Sequence, residues 1–388
     1  MIKRILYTLL IMFPVVASAQ INTDRVMAIG RNALYFEDYV LSIQYFNQVI
    51  NAKPYLSDPY FYRGLAKINL DDFQGAESDC SEAIERNPFV VSAYQVRGLA
   101  RIQQNNFAGA IEDYTKALEF DPENIGVWHN MALCRIRQED YKGAKNDLDK
   151  LIAISPRYTK AYLMRGEVDL KQKDTLAAEK DFGKAIEIDR YDADTWASRA
   201  ILRLQQQRYK DAEADFDHAI RLSTRNSGVY INRALARYHQ NNLRGAMSDY
   251  DIALDIDPNN FIGHYNRGLL RAQVGDDNRA IQDFNFVIEM EPDNMMAIFN
   301  RGLLLDQTGD YKGAIKDYST VINEYPNFLL GYQYRAQARR KIGDVKGADA
   351  DEFKVLKAQL DKQNGVDPNK QTADNTENNK TRKKSDKN

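Results

Sequence analysis

The chain has 388 residues, of which 44% are hydrophobic and 28% charged, with a formal net charge of -2. That balance suits a soluble folded protein and gives no overall electrostatic pull toward nucleic acid. Two cysteines, Cys80 and Cys134, are too few for a scaffold built on disulfides and read as buried thiols.

The first element is not part of the fold. Lys3 and Arg4 precede an apolar run from Ile5 to Val16, broken only by Thr8 and Pro14, and Ala17-Ser18-Ala19 follows. This is the three-part pattern of a secretory signal peptide over residues 1–19, with a mature chain expected from Gln20. The run is short for a bilayer, which needs roughly 20 apolar residues, and no later segment is long enough to span one. No cysteine stands at the cleavage point, so lipoprotein attachment is not expected.

From Thr23 the chain matches itself at an offset of 34 without a gap. Asp79, Asp113, Asp147, Asp181, Asp215, Asp249, Asp283, Asp317 and Asp351 fall in register, as do Ala76, Ala110, Ala144 and their successors to Ala348. An arginine series accompanies them: Arg63, Arg97, Arg165, Arg199, Arg233, Arg267, Arg301 and Arg335, with Met131 interrupting it. Ten units follow in chain order: 23–56, 57–90, 91–124, 125–158, 159–192, 193–226, 227–260, 261–294, 295–328 and 329–362. Each reads as two helices and a turn. In the unit from Phe261, apolar spacing predicts helices over Tyr265–Gln273 and Arg279–Glu289, with Gly275-Asp276 between them. Pro292 ends the second, because proline has no amide to donate. The same stop recurs at Pro54, Pro88, Pro122, Pro156, Pro258 and Pro326, while Arg190 and Thr224 replace it in two units. Residues 363–388 are polar, lack aromatics and are expected to be a disordered tail, with a small basic cluster at Arg382, Lys383 and Lys384.

Numbered 1 to 34, these units resemble the tetratricopeptide repeat. Position 4 holds Tyr60, Tyr94, Trp128, Tyr162, Trp196 and Tyr230. Position 8 is Gly or Ala, as at Gly64, Gly98, Ala132 and Gly166, and position 24 is aromatic at Tyr114, Phe182, Phe216, Tyr250, Phe284 and Tyr318. The resemblance implies an all-α, right-handed α-solenoid of tandem helix–turn–helix repeats. One pair of short helices cannot bury its apolar face alone, whereas stacked pairs share a continuous core. The end units should therefore differ. Ile29 and Tyr45 replace the usual Arg and Asp in the first, and Gln337 and Glu352 stand at usually apolar positions in the last, consistent with a solvated cap.

Two constellations stand out. Arg at position 7 and Asp at position 23 predict a ladder of ion pairs fixing the packing register: Arg63–Asp79, Arg97–Asp113, Arg199–Asp215, Arg233–Asp249, Arg267–Asp283 and Arg301–Asp317. A guanidinium can hold a carboxylate with two hydrogen bonds. Position 11 is also basic, at Arg101, Arg135, Arg203, Arg237, Arg271 and Arg339, so Asp147 is expected to turn to Arg135 where Met131 breaks the series. An arginine-lined site for phosphate or acidic peptide is the functional alternative. The second constellation follows from the resemblance, which implies a concave groove faced by positions 2, 5, 9, 12 and 13 of the first helices. Phe61, Leu65, Leu99, Leu133, Ile201, Ile231, Leu235, Tyr238, Tyr265, Leu269, Phe299 and Leu303 would form an apolar stripe there. The alternative is that these residues pack between units. Family members that clamp a terminal carboxylate carry Asn at position 9, and the leucines here argue against that clamp.

Nothing nominates a catalytic site. His129, His218, His239 and His264 lack metal-ligand spacing, and there is no phosphate loop or nucleophile elbow. No enzyme activity, metal, cofactor or small-molecule ligand is expected. The expected function is a protein–protein interaction scaffold or adaptor, exported to a bacterial periplasm or cell envelope or secreted. A chaperone or holdase for exported chains, or a structural part of an envelope assembly, are the alternatives.

Overall fold

A computed structural model describes residues 22–364. The expected signal peptide, and the tail from residue 365, lie outside the described residues. Among the described residues there are twenty helices and no strands. The chain divides between Asp189 and Arg190 into two units. The first contains α1 (Thr23–Tyr35), α2 (Tyr39–Ala52), α3 (Asp58–Ile68), α4 (Phe73–Arg86), α5 (Val91–Gln103), α6 (Phe107–Phe120), α7 (Ile125–Arg137), α8 (Tyr141–Ile154), α9 (Thr159–Lys171) and α10 (Thr175–Ile188). The second contains α11 (Ala193–Gln205), α12 (Tyr209–Leu222), α13 (Ser227–His239), α14 (Leu243–Ile256), α15 (Phe261–Gln273), α16 (Asp277–Met290), α17 (Met295–Thr308), α18 (Tyr311–Glu324), α19 (Leu329–Lys341) and α20 (Val345–Gln363). Within each unit, every odd-numbered helix packs on the next helix of its pair, and each pair packs on its neighbour.

Local chemistry sets these helices. An Asp or Asn caps most second helices and accepts from the amide three residues on, as Asp72 does from Gly75 at 2.9 Å and Asn242 from Gly245 at 3.1 Å. The residue before that cap turns the chain through a left-handed conformation, with φ of 59° at Asp71 and 62° at Asn241, and glycine takes this place at Gly275, Gly309 and Gly343. Helix α15 starts at Phe261 rather than at the expected Tyr265, because the Asn260 side chain caps the Gly263 amide at 3.0 Å. Helix α16 also starts before the expected Arg279, at Asp277, although the Asp276 side chain makes no capping bond there. Apolar spacing marks where a helix buries a face, whereas capping decides where it begins.

Position 8 controls how closely the two helices of a pair approach. A Cβ built on Gly166 would lie 2.6 Å from the Phe182 ring, and one on Gly98 would lie 2.8 Å from Tyr114. The aromatic at position 24 therefore rests on bare backbone. Gly166→Ala should destabilise the fold by about 1–2 kcal/mol, because the buried ring must shift in a packed core. Urea denaturation would register this as a lower midpoint. An unchanged midpoint would show that Phe182 can move freely.

Candidate interaction surface

The arginine–aspartate pairs come first, because they position the odd-numbered helices. Asp79, Asp113, Asp215, Asp249, Asp283 and Asp317 are all buried. Each takes two bonds from the arginine sixteen residues earlier. Arg233, for example, donates Nε to Asp249 Oδ2 at 2.9 Å and Nη2 to Oδ1 at 2.6 Å. The pairs Arg63–Asp79, Arg97–Asp113, Arg199–Asp215, Arg267–Asp283 and Arg301–Asp317 repeat this fork. Arg237, one turn after Arg233, adds Nη1 to Asp249 Oδ2 at 2.8 Å. The guanidinium also lies over the aromatic of position 4, 5.4 Å from the Tyr230 ring centre for Arg233 and 5.0 Å from Trp196 for Arg199.

A third bond, not anticipated from the sequence, links neighbouring repeats. The remaining nitrogen of the position 7 arginine reaches position 25 of the preceding repeat. Arg63 Nη1 meets Asn47 at 2.6 Å, Arg97 meets Ser81 at 3.1 Å, Arg233 meets Asp217 at 2.7 Å and Arg301 meets Asn285 at 2.8 Å. One side chain thus ties its own helix pair together and fastens it to the pair before. Burial alone would lower the Arg233 pKa, but its bonds to Asp249 and Asp217 carry it above its ordinary value.

A second link joins position 11 to position 21 of the preceding repeat. Arg101 reaches Glu77 at 2.8 Å and Arg237 reaches Glu213 at 2.7 Å. The same link is reversed in sign where Lys145 meets the buried Asp169 at 2.5 Å. Sequence reasoning missed this pair. The signal was available: acid and base exchange places at the same two positions, twenty-four residues apart.

Two sites depart from the ladder. At Met131 no guanidinium is present, and Asp147 turns to Arg135, whose Nε lies 2.7 Å from Oδ2. The approach is close but off-axis, and neither atom makes a hydrogen bond. Burial therefore pushes the Asp147 carboxyl up to about 6, with Arg135 only partly opposing it. At His264 the opposite holds. Its Nδ1 lies 2.9 Å from Asp283 Oδ1 and its Nε2 lies 3.1 Å from the Pro258 carbonyl. Burial would raise Asp283, but His264, Arg267 and Arg271 together hold it below the usual carboxylate range.

The expected apolar stripe divides. Ile231 and Phe299 are not groove surface: they are buried, Phe299 against Phe328, Tyr318 and Tyr334. Position 5 faces the next repeat, and a large side chain there fills the junction. Phe61, Leu65, Leu133, Ile201, Leu235, Tyr238, Tyr265 and Leu303 are half-buried. Leu99 and Leu269 are open, at 38% and 39% exposure. Position 2, for which no residue was singled out from the sequence, is more open still: Ile262 is 51% exposed and Met296 62% exposed. Ile262, Tyr265 and Leu269 lie three and seven residues apart on α15, so they share one face. Cys80 and Cys134 are buried and unpaired, and burial pushes their thiols up to about 12 and about 11. Among the described residues no group of His, Cys, Asp and Glu could hold a metal ion, and no helix is long and apolar enough to cross a membrane.

Comparison with known proteins gives a consistent picture. A family model described as a TPR repeat matches residues 98–134, and models described as tetratricopeptide repeats match residues 125–158, 159–192, 198–261 and 265–327. Together these span more than half of the 388 residues. The chain is similar to a solved tetratricopeptide repeat protein from Parabacteroides merdae, with 21% identity and a TM-score of 0.50, over 64% of this chain and 98% of that one. It is also similar to the C-terminal part of a TPR repeat-containing protein from Cytophaga hutchinsonii, with 17% identity and a TM-score of 0.51, over 61% and 97% of the two chains. YrrB, a TPR protein with an unusual peptide-binding site, matches at 20% identity and a TM-score of 0.42, over 48% and 95%. No curated protein sequence matches the chain.

Proposed function

The chain belongs to the tetratricopeptide repeat family, and we propose that it is a protein-interaction scaffold or adaptor acting outside the cytoplasm. Its partner is a peptide or helix laid along the open apolar face of the odd-numbered helices. Proteins of this family bind other proteins or peptides. One observation carries the choice of surface. On α15, Ile262 and Leu269 remain open while the same helix buries Gly263, Gly268 and Leu270. The fold's own packing is satisfied by the other face, so the exposed apolar residues are available for a partner. Action outside the cytoplasm rests on the Lys3-Arg4 start, the apolar run and Ala17-Ser18-Ala19.

Affinity capture from cross-linked cell envelopes, run with the wild type and with Leu235→Asp, Leu269→Asp and Leu303→Asp combined, tests this reading. Circular dichroism establishes first that the triple variant keeps its helices. A small set of partners lost only in the variant is the expected result. Partners retained by the folded variant would move the interface off this face, and a broad set of weak partners would indicate a holdase.

A further inference from the structure

The two ends of the array break the junction rule in complementary ways. Within each unit, position 7 of one repeat meets position 25 of the repeat before it, and both are polar: Arg97 on Ser81, Arg267 on Asp251, Arg335 on Ser319. Position 7 is Arg or Met in every later repeat and Ile only in the first, at Ile29. Position 25 is a polar residue or Gly in every earlier repeat and Phe only in the last, at Phe353. Both exceptions are apolar and exposed, Ile29 by 37% and Phe353 by 66%. A second junction contact fixes the register further along the same helices and uses the backbone carbonyl of its acceptor. The position 14 side chain of one repeat reaches position 17 of the repeat before, as Gln104 reaches Phe73 and Gln240 reaches Tyr209. At the ends these positions hold Phe36 and Val345, both exposed. Position 28, which in interior repeats lies under position 3 of the next, is the exposed Leu356 on α20. A solvated cap needs neither Ile29 nor Phe353, the two residues that depart from the interior pattern.

We propose that the occupant of the α20 face is the α1 end of a second copy of this chain, docked head to tail as if it were the next repeat. Ile29 would meet Phe353, and Phe36 would meet Val345. Arg25, the one long side chain at position 3, would lie over Leu356 in the register that Gly263 and Gly331 show, its aliphatic stem against the leucine. Such a contact joins different patches of two identical chains and therefore leaves one free end of each kind. This inference uses the ends of the array and is independent of the apolar face proposed for partners.

Sedimentation velocity on the purified exported chain over a wide concentration range tests it, with Ile29→Asp and Phe353→Asp as single variants. Both sites are exposed, and circular dichroism checks that each variant is folded. The wild type should form concentration-dependent oligomers. Each variant alone should be monomeric, because it has lost one of the two required faces. Mixing the variants should restore one junction only and stop at a dimer. A wild type that stays monomeric throughout would overturn the proposal. So would oligomers lost in Phe353→Asp but kept in Ile29→Asp, since that pattern pairs two α20 faces.

Discussion

Asp249→Ala should cost the fold about 3–5 kcal/mol, the usual price of stranding a buried charge by deleting its partner. Asp249 is 1% exposed and accepts from both Arg233 and Arg237, whose side chains are themselves largely buried. Deleting the carboxylate leaves two guanidinium groups with fewer acceptors, and it frees Arg233 from the position that lets it reach Asp217 in the preceding repeat. The damage should therefore spread to the neighbouring pair. Urea denaturation gives the total loss, and amide exchange along α12 and α13 gives its extent. A loss below about 1 kcal/mol would show that the arginines re-pair with Asp217 and Glu213 at little cost, and that the ladder does not fix the register.

Asp147→Asn should do the opposite at neutral pH and above. The Asp147 carboxyl is raised from its ordinary 3.8 to about 6 by burial beside an off-axis Arg135. A folded value above the unfolded one means that the folded state holds the proton more tightly. The stability this supplies is full below the unfolded value and is lost as pH rises through about 6. The difference between the two limits is about 2–3 kcal/mol. Asparagine keeps the shape without the titration, so the variant's stability relative to wild type should climb by that amount between pH 4 and pH 8. Asp113→Asn, where Arg97 and Arg101 supply aligned bonds, should only destabilise. Parallel stability profiles for wild type and Asp147→Asn would show that Arg135 compensates Asp147 fully.

The repeat was legible because its residue types answer to one helix pair at a time. Small residues at position 8, an aromatic at 24 and Asp at 23 reflect contacts inside a unit, and a fixed offset exposes all of them. The turn of Asp147 to Arg135 was legible for the same reason, since both lie in one repeat. Contacts between repeats were harder to read. The bond from position 7 to position 25 links residues sixteen apart across a junction, and position 25 varies among Asn, Ser and Asp because any short acceptor suffices. The Lys145–Asp169 pair was missed because it reverses the sign of its equivalents. Ile231 and Phe299 were misplaced because an apolar residue on a first helix serves a groove and a junction equally well, and only packing separates the two.

The most direct test of the account places a photo-activated cross-linking residue at Leu269, with a second at the exposed Gln282 on α16 as a control. Irradiation in the native envelope should trap discrete protein adducts from position 269 and few from position 282. Equal adduct patterns at both positions, or none at Leu269, would contradict the claim that the odd-numbered helices present the partner surface.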